Sequence, residues 1–178
     1  MTEEPTGKRE VARRASYVIF AGLIVGLVSG IALGVVWWKL APRTPLIVQQ
    51  GVSYPEGYQP EGSIGAAATF GLLGFIAGIA ITIGLANMRR ERLLSVLVAG
   101  ILSGVVGTIA MWVVGTHLGS VDIEGLIATT TEDVTTEAAL GVGMTGMFLM
   151  WPVAAALIVT ILALGDWIVE VRNARRGR

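Results

Sequence analysis

The stretch YVIFAGLIVGLVSGIALGVVWW, Tyr17–Trp38, decides the fold. It carries no charged side chain from end to end. A helix rises ~1.5 Å per residue, so a run of this length crosses a hydrocarbon core of ~30 Å. Lipid offers backbone amides no hydrogen-bond partner, so the run must satisfy them internally, as a helix. It is longer than the ~7–15 apolar residues of a signal-peptide core. It also closes in Trp37-Trp38-Lys39 rather than in a small-residue cleavage site, so we read it as a retained span.

Glycine recurs every fourth residue inside this stretch, at Gly22, Gly26, Gly30 and Gly34, with Ser29 adjoining. At 3.6 residues per turn these positions share one face and form a groove without side chains. Another helix backbone can approach such a groove closely, and this contact drives association where lipid supplies no hydrophobic push. The partner can be a helix of the same bundle or, across an outward-facing groove, another subunit.

Working outward, three further uncharged runs follow, Ser63–Met88, Leu93–Thr116 and Ala138–Gly165. The chain therefore reads as an all-α membrane protein, a single domain over residues 1–178 with four transmembrane helices. Its connections are loops at 39–62 and 117–137, with tails at 1–16 and 166–178. Composition agrees, since 53% of residues are hydrophobic and 15% charged, against about a quarter charged in soluble domains. Net charge is zero, which lacks the basic footprint of a general nucleic-acid binder. With no cysteine there is no disulfide framework, thiolate metal site or cysteine nucleophile.

Basic residues set the expected orientation. Lys8, Arg9, Arg13 and Arg14 precede the first span, Arg89, Arg90 and Arg92 join the second to the third, and Arg172, Arg175, Arg176 and Arg178 follow the fourth. Only Lys39 and Arg43 lie in the two longer loops. Eleven against two predicts both termini in the cytoplasm, with the longer loops outside. Those loops are acidic, with Glu56, Glu61, Asp122, Glu124, Glu132, Asp133 and Glu137. The first also holds Pro42, Pro45, Pro55 and Pro60, which forbid a continuous helix. In it, Leu46–Gln50 and Val52–Tyr54 flank Gly51 as a candidate hairpin. In the second loop, Thr129 and Glu132 have capping-box spacing, which suggests a short surface helix within 128–137.

The glycine spacing returns at Gly74 and Gly78, at Gly100 and Gly104, and at Gly115 and Gly119. Gly26-x-x-Ser29-Gly30, with Trp38 eight residues on, recurs as Gly100-x-x-Ser103-Gly104 with Trp112. Two readings stay open, duplicated helical hairpins about an axis normal to the membrane, or coincidence among common membrane residues. Trp37, Trp38 and Trp112 at outer span ends, and Trp167 at an inner end, read as interfacial belt residues. Pro152, inside the fourth run, removes one backbone hydrogen bond and predicts a kink.

No ionisable residue lies at mid-span, where one would mark a proton or ion pathway. Asp166, at the inner end of the fourth span, is expected to pair with a nearby arginine. His117 with Asp122 and Glu124 could offer a mixed nitrogen and oxygen metal site, but reads better as an exposed interfacial histidine. No P-loop, dinucleotide fingerprint or HExxH is present. One histidine and no cysteine give no readable nucleophile–base pair. We therefore expect no catalytic activity, no cofactor and no metal.

The basic N-tail, the Gly-rich span closing in Trp38-Lys39-Leu40-Ala41-Pro42, the Pro-bearing loop and three further spans resemble a family of small actinobacterial membrane proteins of unknown function. In that family the first span closes in a W-x-x-A-P stretch. The resemblance implies an actinobacterial plasma membrane and supplies no catalytic residues. The leading expectation is an accessory or scaffold subunit of a larger assembly, respiratory or envelope-building for example. It would act through glycine-mediated helix packing, as a glycine zipper does, and through its acidic loops. Its partners would be other integral membrane subunits or a second copy, within the lipid bilayer. The alternative is a small transporter, channel or lipid-handling protein.

Overall fold

The computed structural model of the chain describes residues 6–49, 52–55, 60–88, 93–122, 125 and 134–176. Among them are four long α-helices, α1 (Thr6–Leu40), α2 (Pro60–Met88), α3 (Leu93–Leu118) and α4 (Met150–Arg176). A 3-10 helix, Thr145–Leu149, leads into α4. All four helical segments are long and apolar enough to cross a membrane, as Ser16–Leu40, Glu61–Met88, Leu93–Leu118 and Thr145–Arg176.

Helix α3 is the hub. It packs most extensively on α1 and also touches α2 and α4, whereas α2 packs chiefly on α4. The contacts set the directions. Gly22, Gly26, Gly30 and Gly34 meet Ala99, Ser103, Gly107 and Met111 in step, so α1 and α3 run parallel. Gly71 meets Met147 and Met150, and Gly78 meets Ala154, so α2 and α4 run parallel as well. Gly100 against Ala155 and Gly104 against Pro152 make α3 and α4 antiparallel.

Two apolar clusters occupy opposite ends of the bundle. Val18, Leu85, Ala86, Val96, Ala99 and Val159 form one. Trp37, Ala41, Ala66, Phe70, Met111 and Leu140 form the other. Between them the helices meet through glycine.

The second cluster lies under a small antiparallel sheet. Strands β1 (Pro45–Gln49) and β2 (Val52–Pro55) form the expected hairpin, with Leu46 opposite Pro55 and Gln49 opposite Val52; Gln50 and Gly51 lie outside the described residues. A third strand, β3 (Val134–Glu137), pairs on the other side of β1, with Pro45 opposite Glu137 and Val48 opposite Val134. The order is β2-β1-β3, so the two long connections are stitched together at one end of the bundle. Thr44 extends the ladder by accepting a hydrogen bond from the Ala138 amide at 2.8 Å.

Three features depart from the sequence reading. Val134–Glu137 is a strand rather than part of a surface helix, because β1 offers it a free edge. Thr129 and Glu132, the expected cap, lie outside the described residues. The run from Ala138 is not helical until Thr145. Within it Leu140 is buried and its amide bonds the Gly119 carbonyl at 3.1 Å, while Ala139 and Met144 are exposed. Finally, α1 reaches back to Thr6, so much of the expected N-terminal tail is helix.

Candidate functional site

The residues singled out by spacing sort into two kinds of contact. The first is backbone against backbone. A Cβ placed on Gly26 would lie 2.5 Å from the Ser103 carbonyl oxygen, and one on Gly34 would lie 2.8 Å from that of Met111. At Gly30 it would meet the Gly107 backbone. All four α1 glycines are buried, so the groove is filled by α3 of the same chain rather than left open outward.

The second kind is a tryptophan ring set into a glycine socket. Trp151 is 1% exposed. Its side chain or backbone would meet a Cβ on Gly74, Gly78, Gly104 or Gly107 at 3.7, 2.6, 3.0 and 2.5 Å, through its Cβ, its carbonyl and, at the last two, its ring. Gly100, by contrast, faces Ala155 and Thr82. Trp37 is likewise fully buried, with its ring over Gly115, while Gly119 abuts Leu140. An indole buries a large apolar area, and removing facing side chains is how a helix bundle makes room for one.

Trp37 was expected in the interfacial belt, and it sits inside the bundle instead. Its Nε1 donates to the Ala66 carbonyl oxygen at 2.8 Å, and its ring meets Phe70 edge-on at a centroid distance of 4.9 Å. Phe70 continues to Phe148 and Phe148 to Trp112, at 5.2 and 6.0 Å. Trp112 and Trp167 are exposed and Trp38 is half-buried. Pro152 stands in the first turn of α4, directly after the 3-10 helix. There a missing amide leaves no intrahelical bond unmade, so it begins the α-helix rather than bending one midway.

The two copies of the Gly-x-x-Ser-Gly motif face different partners. Gly26 and Gly30 meet α3, whereas Gly100 and Gly104 meet α2 and α4. Ser103 lies on the α1 side.

Three hydroxyls escaped the sequence reading. Thr82, Ser103 and Thr108 are 1%, 0% and 4% exposed, and their oxygens have no hydrogen-bond partner. Thr69, Thr116 and Thr160 instead return their hydroxyls to carbonyls four residues back, at 2.7–2.8 Å. A β-hydroxyl within an apolar run carries no sequence signal of which choice it makes.

Polar surface concentrates at the two ends. At the sheet end, Arg43 Nη1 pairs with Glu137 Oε2 at 2.9 Å and Nη2 reaches the Trp38 carbonyl at 3.4 Å. Beside this pair lies a cleft of about 430 Å³, lined by Trp38, Lys39, Ala41, Pro42, Arg43 and Glu137. Pro42 and Arg43 also wall a second, largely apolar cleft of about 310 Å³ along Ala138–Gly143, which Ala66 lines as well. At the opposite end, Asn87, Leu93, Gly165 and Asp166 line a third of about 370 Å³.

His117 is exposed, and Glu124 of its candidate metal set lies outside the described residues. Among the described residues no three His, Asp or Glu side chains gather in one place. No family model, no curated protein and no solved structure matches the chain.

Proposed function

We propose that this chain is a non-catalytic accessory or scaffold subunit of a larger plasma-membrane assembly, with both termini cytoplasmic. The observation that carries this reading is the exposed end of α4. Asp166 shares a cleft with Asn87 and Leu93, near the described ends of α2 and α3. From there Trp167–Arg176 continue for about 15 Å at 1.5 Å per residue. Every residue from Ala163 to Glu170 is exposed. Leu164, Trp167, Ile168 and Val171 fall at i, i+3, i+4 and i+7, the spacing of one apolar helix face. Such a face at the bilayer rim suits a helix of a neighbouring subunit.

The glycine groove of α1 supports the reading differently from the way its spacing suggests. It holds α1 on α3 within the chain, so partner contacts fall to other surfaces. That tight seam also weighs against a transporter or channel, which needs a polar path between the helices. Our reading of the membrane as an actinobacterial plasma membrane rests on the resemblance in the first span alone.

Purification in mild detergent followed by mass spectrometry tests the proposal. A stoichiometric larger complex, lost on Ile168→Glu with the protein's abundance unchanged, supports it. An isolated monomer or homo-oligomer would favour a small transporter, channel or lipid-handling protein instead.

A further inference from the structure

We infer that the cleft between the end of α1 and β3 binds the phosphodiester headgroup of an anionic phospholipid. The long connections, 39–62 and 117–137, carry seven acidic residues and only two basic ones. Both basic residues, Lys39 and Arg43, line this one cleft, and among the described residues Glu137 is the acid that lines it with them. Glu137 occupies Nη1 of Arg43 at 2.9 Å. The described lining thus carries one net positive charge, matching the single negative charge of a phosphodiester. Lys39 is exposed and lines the cleft.

The depth fits a headgroup. The first candidate span ends at Leu40, one residue beyond Lys39. Trp38 in the cleft wall is a residue type that settles at the membrane–water interface. The surroundings favour a lipid over a free anion. Ala41 and Pro42 make part of the wall apolar, and Pro42 and Arg43 are shared with the largely apolar cleft along Ala138–Gly143. A phosphate held by Lys39 and Arg43 can therefore leave its glycerol and first acyl carbons against Pro42, Ala139 and Val142. The chain is not helical over 138–144, and Ala138–Gly143 line this groove.

The inference requires a bilayer around the helices but not the accessory role, so its failure leaves the purification result untouched. The full chain is reconstituted in phosphatidylcholine vesicles containing a tenth part, roughly, of photoactivatable phosphatidylglycerol, as a minor probe whose surface potential stays low. Adducts are mapped by mass spectrometry. We expect adducts within Trp38–Arg43 that fall about fivefold in Lys39→Gln, the weight of one cation at a membrane surface. They should survive in Lys39→Arg. Lys39→Gln leaves the Arg43–Glu137 pair intact, so loss of the sheet does not explain the drop. Adducts near Arg172–Arg176 report the other end and should not change. Equal adducts from photoactivatable phosphatidylcholine would overturn the charge argument. Removal of the adduct by millimolar inorganic phosphate would reassign the cleft to free anions. No adduct at Trp38–Arg43 in the wild type would end the proposal.

Discussion

The indole nitrogen of Trp37 donates a hydrogen bond to the carbonyl oxygen of Ala66 across 2.8 Å, tying the end of α1 to the start of α2. The Ala66 carbonyl already belongs to helix α2, so the indole takes its second lone pair. Both residues are buried, Trp37 at 0% and Ala66 at 3% exposure, and a hydrogen bond shielded from water is electrostatically stronger than one at the surface.

Trp37→Phe removes that donor and keeps most of the ring. A neutral hydrogen bond contributes roughly 0.5–1.5 kcal/mol net, so we expect a modest loss of thermal stability in detergent. Trp37→Ala also empties the space over Gly115 and should cost about 3–5 kcal/mol, the usual range for deleting a buried aromatic. Equal melting temperatures for Trp37→Ala and wild type would mean the indole is not packed as described.

Glycines of identical type should respond oppositely to one methyl group. At Gly30 a Cβ meets the Gly107 backbone, which cannot move without parting α1 from α3. At Gly84 nothing lies within 4 Å. Gly30→Ala should therefore lower abundance and melting temperature. Gly84→Ala should be neutral or stabilise by up to about 1 kcal/mol, the helix-propensity difference. Thermal melts of the two variants in one detergent check the pair, and like effects in both would contradict the packing.

These contrasts mark how far the sequence was legible. Unbroken apolar runs located the helices, because no soluble fold hides them, and the spacing of Gly22, Gly26, Gly30 and Gly34 located one face of α1. The spacing could not name that face's partner, since a groove for Gly107 of the same chain and a groove for a foreign helix look alike. Nor could it tell Trp37 from Trp38. Both close the same span, and only a glycine 78 places away, Gly115, makes room for one of them. Pairing of β3 with β1 was hidden for the same reason, as it joins residues such as Leu46 and Thr136 that lie far apart in the chain. In the fourth run, hydropathy recorded apolar residues from 138 onward but not their backbone shape, and Leu140 buries its side chain against Gly119 without a helix.

The three partnerless hydroxyls yield a further expectation. Removing a buried polar group that has no partner removes its desolvation penalty, so the apolar replacement is neutral or favourable. Thr82→Val and Thr108→Val keep the side-chain shape, and Ser103→Ala only shortens it. Each should leave the melting temperature unchanged or raise it. A loss of more than about 1 kcal/mol in Thr82→Val would show that the hydroxyl holds a hydrogen bond in the membrane-embedded protein.

Membrane orientation is testable in two separable steps, because the sheet makes one of them independent of charge. Strand β1 pairs with both β2 and β3, so Ser53 and Thr135 must face the same compartment whichever it is. The chain has no cysteine, so Ser53→Cys, Thr135→Cys and Asn173→Cys each introduce a single reactive thiol. An impermeant maleimide added to intact cells should label the first two and spare the third, as the eleven-to-two distribution of basic residues requires. Labelling of Ser53→Cys without Thr135→Cys would break the sheet that joins the two connections. Labelling of Asn173→Cys alone would keep the sheet and invert the protein in the membrane. The arginines of α4 would then face outward, and the apolar stripe of Leu164, Trp167, Ile168 and Val171 would have to find its partner on that side.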